Sequence, residues 1–133
     1  MKIEAYVDGS HRHDKVGWGV VILKDGKLHD VLCGVMNEEE VQGTRQVAGE
    51  LQAVKAALSW CTEKKVKEIF IYYDYAGVRE WVTGAWKARN PVTQDYRDYV
   101  RASGVKINWI KVKSHSGNKY NDMADELARK LIE

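Results

Sequence analysis

The chain has 133 residues, of which 44% are hydrophobic and 30% are charged, and its formal net charge is +2. A chain of this length can bury about two-thirds of its unfolded surface, so a single domain over residues 1–133 is expected to fold without a disulfide or a structural metal. The small net charge excludes a polycation, and an anionic partner would be held by a local patch or through a metal ion.

Three strands are predicted at the start of the chain. Residues 2–8 alternate apolar and polar side chains, and residues 16–24 do so again, as strands with one buried face do. The pair Asp25-Gly26 is a hairpin signal, after which residues 27–36 return as a third strand. Tight turns between successive strands predict an antiparallel meander.

The remainder of the chain predicts helices that alternate with strands. Apolar side chains recur at helical spacing over residues 44–61, and the apolar run 66–73 predicts a central strand covered on both faces. The further expected elements are helices at 75–86, 92–102 and 120–132 and a strand at 105–112. The order βββαβααβα indicates an α/β fold with a five-stranded mixed sheet, three antiparallel strands and then parallel strands, flanked by helices.

Two aspartates end strands that are expected to be neighbours. Asp8 ends the first strand and Asp74 ends the buried run, and the strand–helix–strand connection predicts that these strands pair in parallel. Ligands of open α/β sheets bind beyond the carboxyl ends of such strands. A single aspartate at a strand end is more often a turn residue or a helix cap. Two of them at adjacent strand ends favour a shared site.

Two helical carboxylates can join this pair. Glu50 lies early in its helix, roughly 60° from Val47 at the margin of the apolar stripe, so its side chain can reach the strand ends. Asp125 lies on the flank of the last helix near its start, where interaction with the helix dipole is an alternative explanation. Four clustered carboxylates would repel one another without cations, and Mg²⁺ prefers oxygen ligands. The pattern predicts metal-dependent phosphoryl transfer, with phosphodiester hydrolysis as the expected reaction.

The histidines leave alternatives open. His115 lies among small residues in the loop before the last helix, where it is either a solvated loop residue or a proton shuttle beside the metals. His11 and His13 follow Asp8 closely, and a polar turn is favoured there over contact with substrate.

The cysteines and the hydrophobic pattern bear on the compartment. Cys33 and Cys61 fall in apolar runs without metal-ligand spacing, so two buried thiols are favoured over a disulfide. Free thiols suit a reducing compartment. Because neither a targeting segment nor a membrane span is visible in the sequence, a cytoplasmic protein is expected.

Four segments in order resemble type 1 ribonuclease H: YVDGS at 6–10, AGELQAVKAAL at 48–58, IYYDYAGV at 71–78 and KSHSGNKYNDMADELA at 113–128. The last segment is the most specific, because it combines a histidine, the ten-residue spacing to Asp125 and the sequence DELA. The element order also matches over essentially the whole chain. The resemblance implies a ribonuclease H-like fold and a catalytic domain over residues 1–133.

The resemblance also implies the activity and its residues. The family cuts the RNA strand of RNA–DNA hybrids and leaves 5′-phosphate and 3′-hydroxyl ends, using two Mg²⁺ ions for which Mn²⁺ can substitute. Its four metal-binding carboxylates match Asp8, Glu50, Asp74 and Asp125, and its flexible-loop histidine matches His115. The implied partner is an RNA–DNA hybrid. No membrane partner is expected, and the protein is expected to be a monomer or one domain of a longer protein.

Residues around the carboxylates are expected to contact the substrate. Gly9 and Ser10 follow the first aspartate directly, in a segment that lacks the Asn-Pro-Gly often found there. Gln46 stands where the family usually places a minor-groove asparagine, and it can still donate and accept hydrogen bonds. Ala76 replaces a common glutamine and cannot. Hybrid recognition depends on such minor-groove and 2′-hydroxyl contacts.

A second group of substrate residues is expected further from the carboxylates. Some family members carry a long basic insertion where this chain has only GAWKARNPVT. Interleaved basic and aromatic residues can grip a nucleic-acid backbone, although tryptophans packed in the core are an equal alternative. The candidates are Trp81 and Lys87, with Trp86 and Arg89, and Thr44, Arg45 and Thr93 for a phosphate pocket on the DNA strand.

Two other functions fit the same fold. One is a module that binds hybrids without cutting them, which the complete set of carboxylates disfavours because clustered negative charge repels phosphates. The other is a nuclease or strand transferase of the same superfamily that acts on DNA.

Overall fold

The computed structural model describes residues 1–37, 46–113 and 117–133. The described ranges contain five strands and four helices. In chain order these are β1 (Ile3–Arg12), β2 (Lys15–Lys24), β3 (Lys27–Asn37), α1 (Gln46–Glu63), β4 (Glu68–Tyr73), α2 (Gly77–Thr83), α3 (Pro91–Ala102), β5 (Lys106–Lys111) and α4 (Lys119–Lys130). The predicted element order is confirmed.

The five strands form one mixed sheet in the order β3-β2-β1-β4-β5. β1 pairs antiparallel with β2, and β2 pairs antiparallel with β3. β4 is parallel to both of its neighbours, β1 and β5. Because β1 and β4 are adjacent and parallel, Asp8 and the residue after β4, Asp74, lie at the same edge of the sheet. The predicted meander and the parallel pairing are both confirmed.

The helices pack on both faces of the sheet. α1 lies against one face of β1 and β2, and α4 lies against the opposite face of the same two strands. The larger core lies on the α1 side, and a smaller cluster lies under α4. Burial of each large apolar side chain stabilises the fold by about 1.5–3 kcal/mol. Those that are fully buried include Val7, Val20, Ile22, Leu51, Val54, Leu58, Ile69 and Ile71.

The expectation that β4 is covered on both faces is wrong. Ile69, Ile71 and Tyr73 are buried on the α1 side, whereas Phe70 and Tyr72 on the other side are only half-buried. The reason is that α4 packs over β1 and β2 instead. β2 is consequently the strand whose interior residues are buried on both faces, with the Trp18 side chain half-buried.

Helix boundaries differ from the predicted ones mainly in α2. This helix ends at Thr83, because Gly84 takes the left-handed conformation with φ of 91° and its N–H donates to the Glu80 carbonyl. α3 begins at Pro91 as expected, and Asn90 caps it by accepting a hydrogen bond from the Thr93 N–H. Leu131, which caps the end of α4, is 51% exposed.

Both cysteines are free, as expected, but only Cys61 is buried. Cys33 is exposed because it lies on β3, an edge strand whose outward side chains meet solvent. Among the described helices, none combines the length and the hydrophobicity that a bilayer-spanning segment requires.

A close approach between β2 and α4 brings the last helix to the end of β1. Gly19 pairs directly with Asp8 across the sheet. A Cβ at Gly19 would lie 2.6 Å from the Ala124 carbonyl oxygen and 2.8 Å from the Leu127 Cβ. The α4 backbone therefore lies closer to β2 than a side chain at position 19 would allow. The same close approach sets the position of Asp125, the residue after Ala124 in α4.

We predict that Gly19→Ala will push α4 away from the sheet. Because the clash is with helix backbone, the expected cost is about 1–3 kcal/mol of unfolding free energy. Urea denaturation followed by circular dichroism measures it. An unfolding midpoint equal to that of the wild type would show that α4 can move away from β2 without cost.

Candidate active site

Three of the four predicted carboxylates meet where the pairing between β1 and β4 ends, just after Tyr6 and Tyr72. The expectation that Asp8 ends its strand is wrong, because β1 continues to Arg12 in its pairing with β2. Asp8, Glu50 and Asp74 each offer an oxygen, and these atoms all lie within 4.8 Å of one another. The Asp8 Oδ1 also accepts a hydrogen bond of 2.9 Å from the Gly9 N–H, which orients that carboxylate. We call Asp8, Glu50 and Asp74 the carboxylate trio.

Glu50 is the most enclosed member of the trio, with only 3% of its surface exposed. Its Oε2 accepts hydrogen bonds from the backbone N–H groups of Asp74 at 3.1 Å and Tyr75 at 3.5 Å. The start of α1 reaches the strands because Gly49 has no side chain: a Cβ there would lie 3.0 Å from the Gly9 Cα. Glu50 is thus fixed between α1 and the end of β4.

Asp125 lies beside the trio, but it does not belong to the group whose oxygens lie within 4.8 Å of one another. Its carboxylate is close enough to Asp8 to contribute to the raised pKa of that residue. Its Oδ2 also accepts a hydrogen bond of 3.0 Å from the Arg129 Nε one turn later in α4. Asp125 therefore joins the negative cluster while being partly neutralised by its own helix.

Burial and mutual repulsion shift the titration of the cluster. Burial first, and then the neighbouring Asp74 carboxylate, raises the pKa of Asp8 to about 7. The same two causes, in the same order, raise the pKa of Glu50 well above its ordinary value. Loss of water and negative neighbours both disfavour a further negative charge, so a cation placed among these oxygens would be strongly attracted.

The donor set fits a hard divalent cation. All three ligating groups are carboxylates, and within the described ranges no lysine or arginine forms an ion pair with the trio. Buried carboxylates without a basic partner or a cation are unusual. Mg²⁺ and Mn²⁺ prefer oxygen ligands of this kind.

The other predicted substrate residues differ in how far they are exposed. Gly9 and Ser10 are half-buried in β1, directly after Asp8. Thr93 is only 2% exposed, and its hydroxyl donates to Asn90 in the cap of α3, so the structure does not offer it to a phosphate. Lys87 is exposed. Thr44, Arg45, His115 and the side chain of Gln46 lie outside the described residues.

The tryptophans form an aromatic cluster with Tyr75, a residue that the sequence did not predict as part of the site. The Trp81 and Trp86 rings lie 5.9 Å apart, and Tyr75, next to Asp74, contacts both at 5.8 Å and 6.0 Å. Trp86 is 41% exposed, so the cluster presents one indole to solvent. Tyr75 was missed because its neighbours in sequence are strand and turn residues, without helical spacing to either tryptophan. The Arg129–Asp125 pair was also missed, although i,i+4 spacing signals it.

This chain is similar to known proteins over its whole length. The family model described as RNase H matches residues 1–133. The chain belongs to the ribonuclease H family. Ribonuclease H of Verminephrobacter eiseniae is 32% identical over 148 aligned positions that cover 99% of this chain and 91% of that relative. Ribonuclease H of Brucella anthropi is 33% identical over 99% of this chain and 90% of the relative.

Solved ribonuclease H structures share the fold. The RNase H1 of the halophilic archaeon Halobacterium salinarum superposes with a TM-score of 0.83 at 22% identity, covering 99% of this chain and 98% of that one. LC11-RNase H1, solved in complex with an RNA/DNA hybrid, gives a TM-score of 0.78 at 17% identity, covering 99% of this chain and all of the other. The expected ribonuclease H-like fold is confirmed.

The pKa shift of Asp8 predicts how the stability of the metal-free protein depends on pH. A carboxyl whose pKa is raised on folding contributes stability that is fully present below its ordinary value of 3.8 and is lost as the pH rises through about 7. The urea midpoint in chelator should therefore fall between about pH 5.5 and about pH 8.5, and Mg²⁺ should restore it mainly at the higher pH.

The stability of any protein that contains histidine can change over the same pH range. Asp8→Asn is therefore the control that isolates the contribution of Asp8. The variant should have a flatter pH dependence and a smaller response to Mg²⁺ than the wild type, because the repulsion is already relieved. Parallel curves for the two proteins would show that Asp8 does not titrate as part of the cluster.

Proposed function

We propose that this protein is an endoribonuclease that hydrolyses the RNA strand of RNA–DNA hybrids and leaves 5′-phosphate and 3′-hydroxyl ends. The observation that carries the proposal is the carboxylate trio, with its oxygens within 4.8 Å at the strand ends of a chain that belongs to the ribonuclease H family. Residues 1–133 would form the catalytic domain.

Asp8, Glu50, Asp74 and Asp125 would hold two divalent ions, with Mg²⁺ expected and Mn²⁺ able to substitute. When bound, such ions activate water and stabilise the charge on the leaving oxygen. The chain itself contributes the rigid position of the oxygens: Asp8 is held by the Gly9 N–H, and Glu50 by the N–H groups that follow β4. Asp74 and Asp125 both contribute to the raised pKa of Asp8, so Asp8 would be the central one of the four residues that hold the ions.

The proposed role of His115 rests on the resemblance alone. In the family the corresponding histidine lies in a loop beside the carboxylates, and we propose that His115 moves a proton or assists product release. Imidazole titrates in the range that such a role needs.

The aromatic cluster is the proposed contact for the DNA strand. Trp86 presents an exposed indole, and Tyr75 links the cluster to the residue after Asp74. A flat exposed ring near the cutting site can stack on a base or sugar, and Lys87 beside it can approach the phosphates. LC11-RNase H1 was solved with an RNA/DNA hybrid, which supports a hybrid as the ligand of the shared fold.

One assay separates the proposal from its two alternatives. End-labelled RNA–DNA hybrid, duplex RNA and duplex DNA of one sequence are each incubated with Mg²⁺, Mn²⁺ or chelator, and the product ends are mapped. Cleavage of the hybrid alone, dependent on metal, is the expected result. Hybrid binding without cleavage would indicate the non-catalytic module, and preferential cutting of duplex DNA would indicate the DNA-acting enzyme.

Asp8→Asn should lower the cleavage rate by about a thousandfold or more, because it removes a charge from the centre of the cluster while keeping its shape. The matched control is Asp122→Asn, which makes the same change at an exposed position on α4. Single-turnover cleavage of a labelled hybrid measures both. A wild-type rate for Asp8→Asn would remove this residue from the reaction.

Trp86→Ala should raise KM for the hybrid about tenfold and leave kcat nearly unchanged, because stacking contributes to binding and not to the chemical step. Tyr99→Ala is the control, since Tyr99 is also a partly exposed ring but lies on α3 beside Lys55. Steady-state kinetics give the result. A loss confined to kcat would assign Trp86 to the geometry of the site and not to binding.

A further inference from the structure

Three tyrosine rings contact one another next to the carboxylates, on the α4 side of the sheet. Tyr6 and Tyr72 pair across β1 and β4, and their ring centroids lie 4.2 Å apart with an angle of 6° between the planes. The ring of Tyr120, in the first turn of α4, lies 5.8 Å from the Tyr6 ring at an angle of 42°. We call Tyr6, Tyr72 and Tyr120 the tyrosine stack.

Each ring of the tyrosine stack lies on an element that carries one of the four carboxylates. In β1 the ring precedes Asp8 by two residues, and in β4 the ring precedes Asp74 by two residues. Residues two apart on a strand lie about 7 Å apart along it. In α4 the ring lies five residues before Asp125. The stack therefore joins three of the elements that bring the site together.

The paired rings limit how β1 and β4 can move at this level of the sheet. Neighbouring strands lie about 4.7–4.9 Å apart, and the rings of Tyr6 and Tyr72 are separated by 4.2 Å. Because the rings are already in contact, the strands cannot approach further here, and moving apart would lose the stacking energy. The spacing of the strands is thus fixed two residues before Asp8 and Asp74.

Tyr6 is the central ring, and it is held against the start of α4. It is 6% exposed and lies in the cluster that contains Ala124. Burial raises the pKa of the Tyr6 hydroxyl, and Asn118 is close enough to oppose that rise. Asn118 is the cap of α4, since its side chain accepts hydrogen bonds from the N–H groups of Tyr120 and Asn121. The ring and the hydroxyl of Tyr6 therefore both meet the first turn of this helix.

Tyr72 is held from the side away from α4. Its hydroxyl donates a hydrogen bond to the carboxylate of Glu4, which is only 8% exposed. The same carboxylate lies 3.8 Å from the Lys2 Nζ. The outer ring of the stack is thus fixed by contacts that do not involve the carboxylates of the site.

We propose that Tyr6 is a positioning residue that, through the tyrosine stack, sets the spacing of Asp8, Asp74 and Asp125 and so determines how tightly the site binds divalent ions. The inference rests on the proposed function, because it requires these carboxylates to hold ions together. Glu50 is fixed separately by the N–H groups that follow β4.

Asp125 depends most on such positioning. Its oxygens do not belong to the group within 4.8 Å, and the Arg129 Nε bonds its carboxylate from one turn later in α4. A small shift of α4 would therefore separate Asp125 from Asp8. Residues that orient metal ligands without touching the metal typically change metal affinity by about 10–100-fold when they are replaced.

The first experiment measures binding of Mn²⁺ alone to the metal-free full chain by isothermal titration calorimetry, with circular dichroism to confirm folding. Tyr6→Leu removes the central ring and should weaken binding about tenfold. Tyr6→Phe keeps the ring and should bind within about threefold of the wild type, because the stack persists. Wild-type affinity in Tyr6→Leu would overturn the proposal.

Leu23→Ala is the matched control for loss of stability. Leu23 is also buried in the cluster under α4, but it pairs with Glu4 and so lies further from Asp8 than Tyr6 does. The variant should lower the urea midpoint and leave the affinity for Mn²⁺ unchanged. Equal weakening of Mn²⁺ binding by Leu23→Ala and Tyr6→Leu would overturn the proposal, because destabilisation alone would then explain both.

Tyr120→Leu tests the same contact from α4, at a side chain that is only half-buried. It should also weaken Mn²⁺ binding, by about fivefold or more. Wild-type affinity in this variant would contradict positioning through α4 and overturn the proposal. If Tyr6→Leu does not fold, Tyr120→Leu decides the question by the same two outcomes.

Cleavage of the hybrid over a range of Mg²⁺ concentrations separates ion binding from the chemical step. The Mg²⁺ concentration for half-maximal cleavage should rise about tenfold in Tyr6→Leu, whereas KM for the hybrid at saturating Mg²⁺ should not change. A loss of kcat that saturating Mg²⁺ does not restore would overturn the proposal. A wild type that neither binds Mn²⁺ nor cleaves hybrid would overturn the proposed function as well, whereas an active wild type with an unaffected Tyr6→Leu would overturn this inference alone.

Discussion

The candidate site depends on repulsion between carboxylates that the fold holds together. Asp8, Glu50 and Asp74 keep their oxygens within 4.8 Å although burial and neighbouring charge raise the pKa of Asp8 and Glu50. The metal-free cluster opposes folding, so its geometry must be imposed by contacts elsewhere. Those contacts are the apolar core under α1 and the backbone N–H groups that bind Asp8 and Glu50. The arrangement favours a cation because relief of the repulsion adds to the attraction of each ligand.

Close backbone contacts between the helices and the sheet bring the carboxylates of this site together. β1 lies at the centre of the sheet, with α1 on one face and α4 on the other. Gly49 lets the start of α1 approach Gly9, and Gly19 lets α4 approach the strand that pairs with Asp8. Each helix therefore brings one carboxylate, Glu50 or Asp125, toward Asp8 in β1. A larger residue at either glycine would push a helix away from the sheet and so separate the ligands.

The sequence predicted those parts of the site that follow from strand order. Asp8 and Asp74 each lie two residues beyond the parallel pairing of β1 with β4, and a strand–helix–strand connection allows few other arrangements. The position of Glu50 at the margin of the apolar stripe of α1 was also predictable from the helical period. Two properties depend on which strands α4 covers, and the sequence did not predict them: one face of β4 is only half-buried, and Cys33 is exposed on an edge strand. The periodicity of a strand shows which of its residues share one face of the sheet. It does not show whether a helix covers that face. Tyr75 joined the tryptophans unpredicted because their contact depends on the turn between β4 and α2.

On the proposed function, the same repulsion links the metal to substrate binding. The alignment with the relative from Verminephrobacter eiseniae has 148 positions against 133 residues in this chain, so that relative carries insertions that this chain lacks. The net charge of +2 supplies little long-range attraction for a hybrid. An unneutralised carboxylate cluster would repel the phosphate that must approach it. Two divalent ions would balance the negative charge of the four carboxylates and so remove that repulsion, and the ions would then contribute to holding the substrate as well as to cutting it.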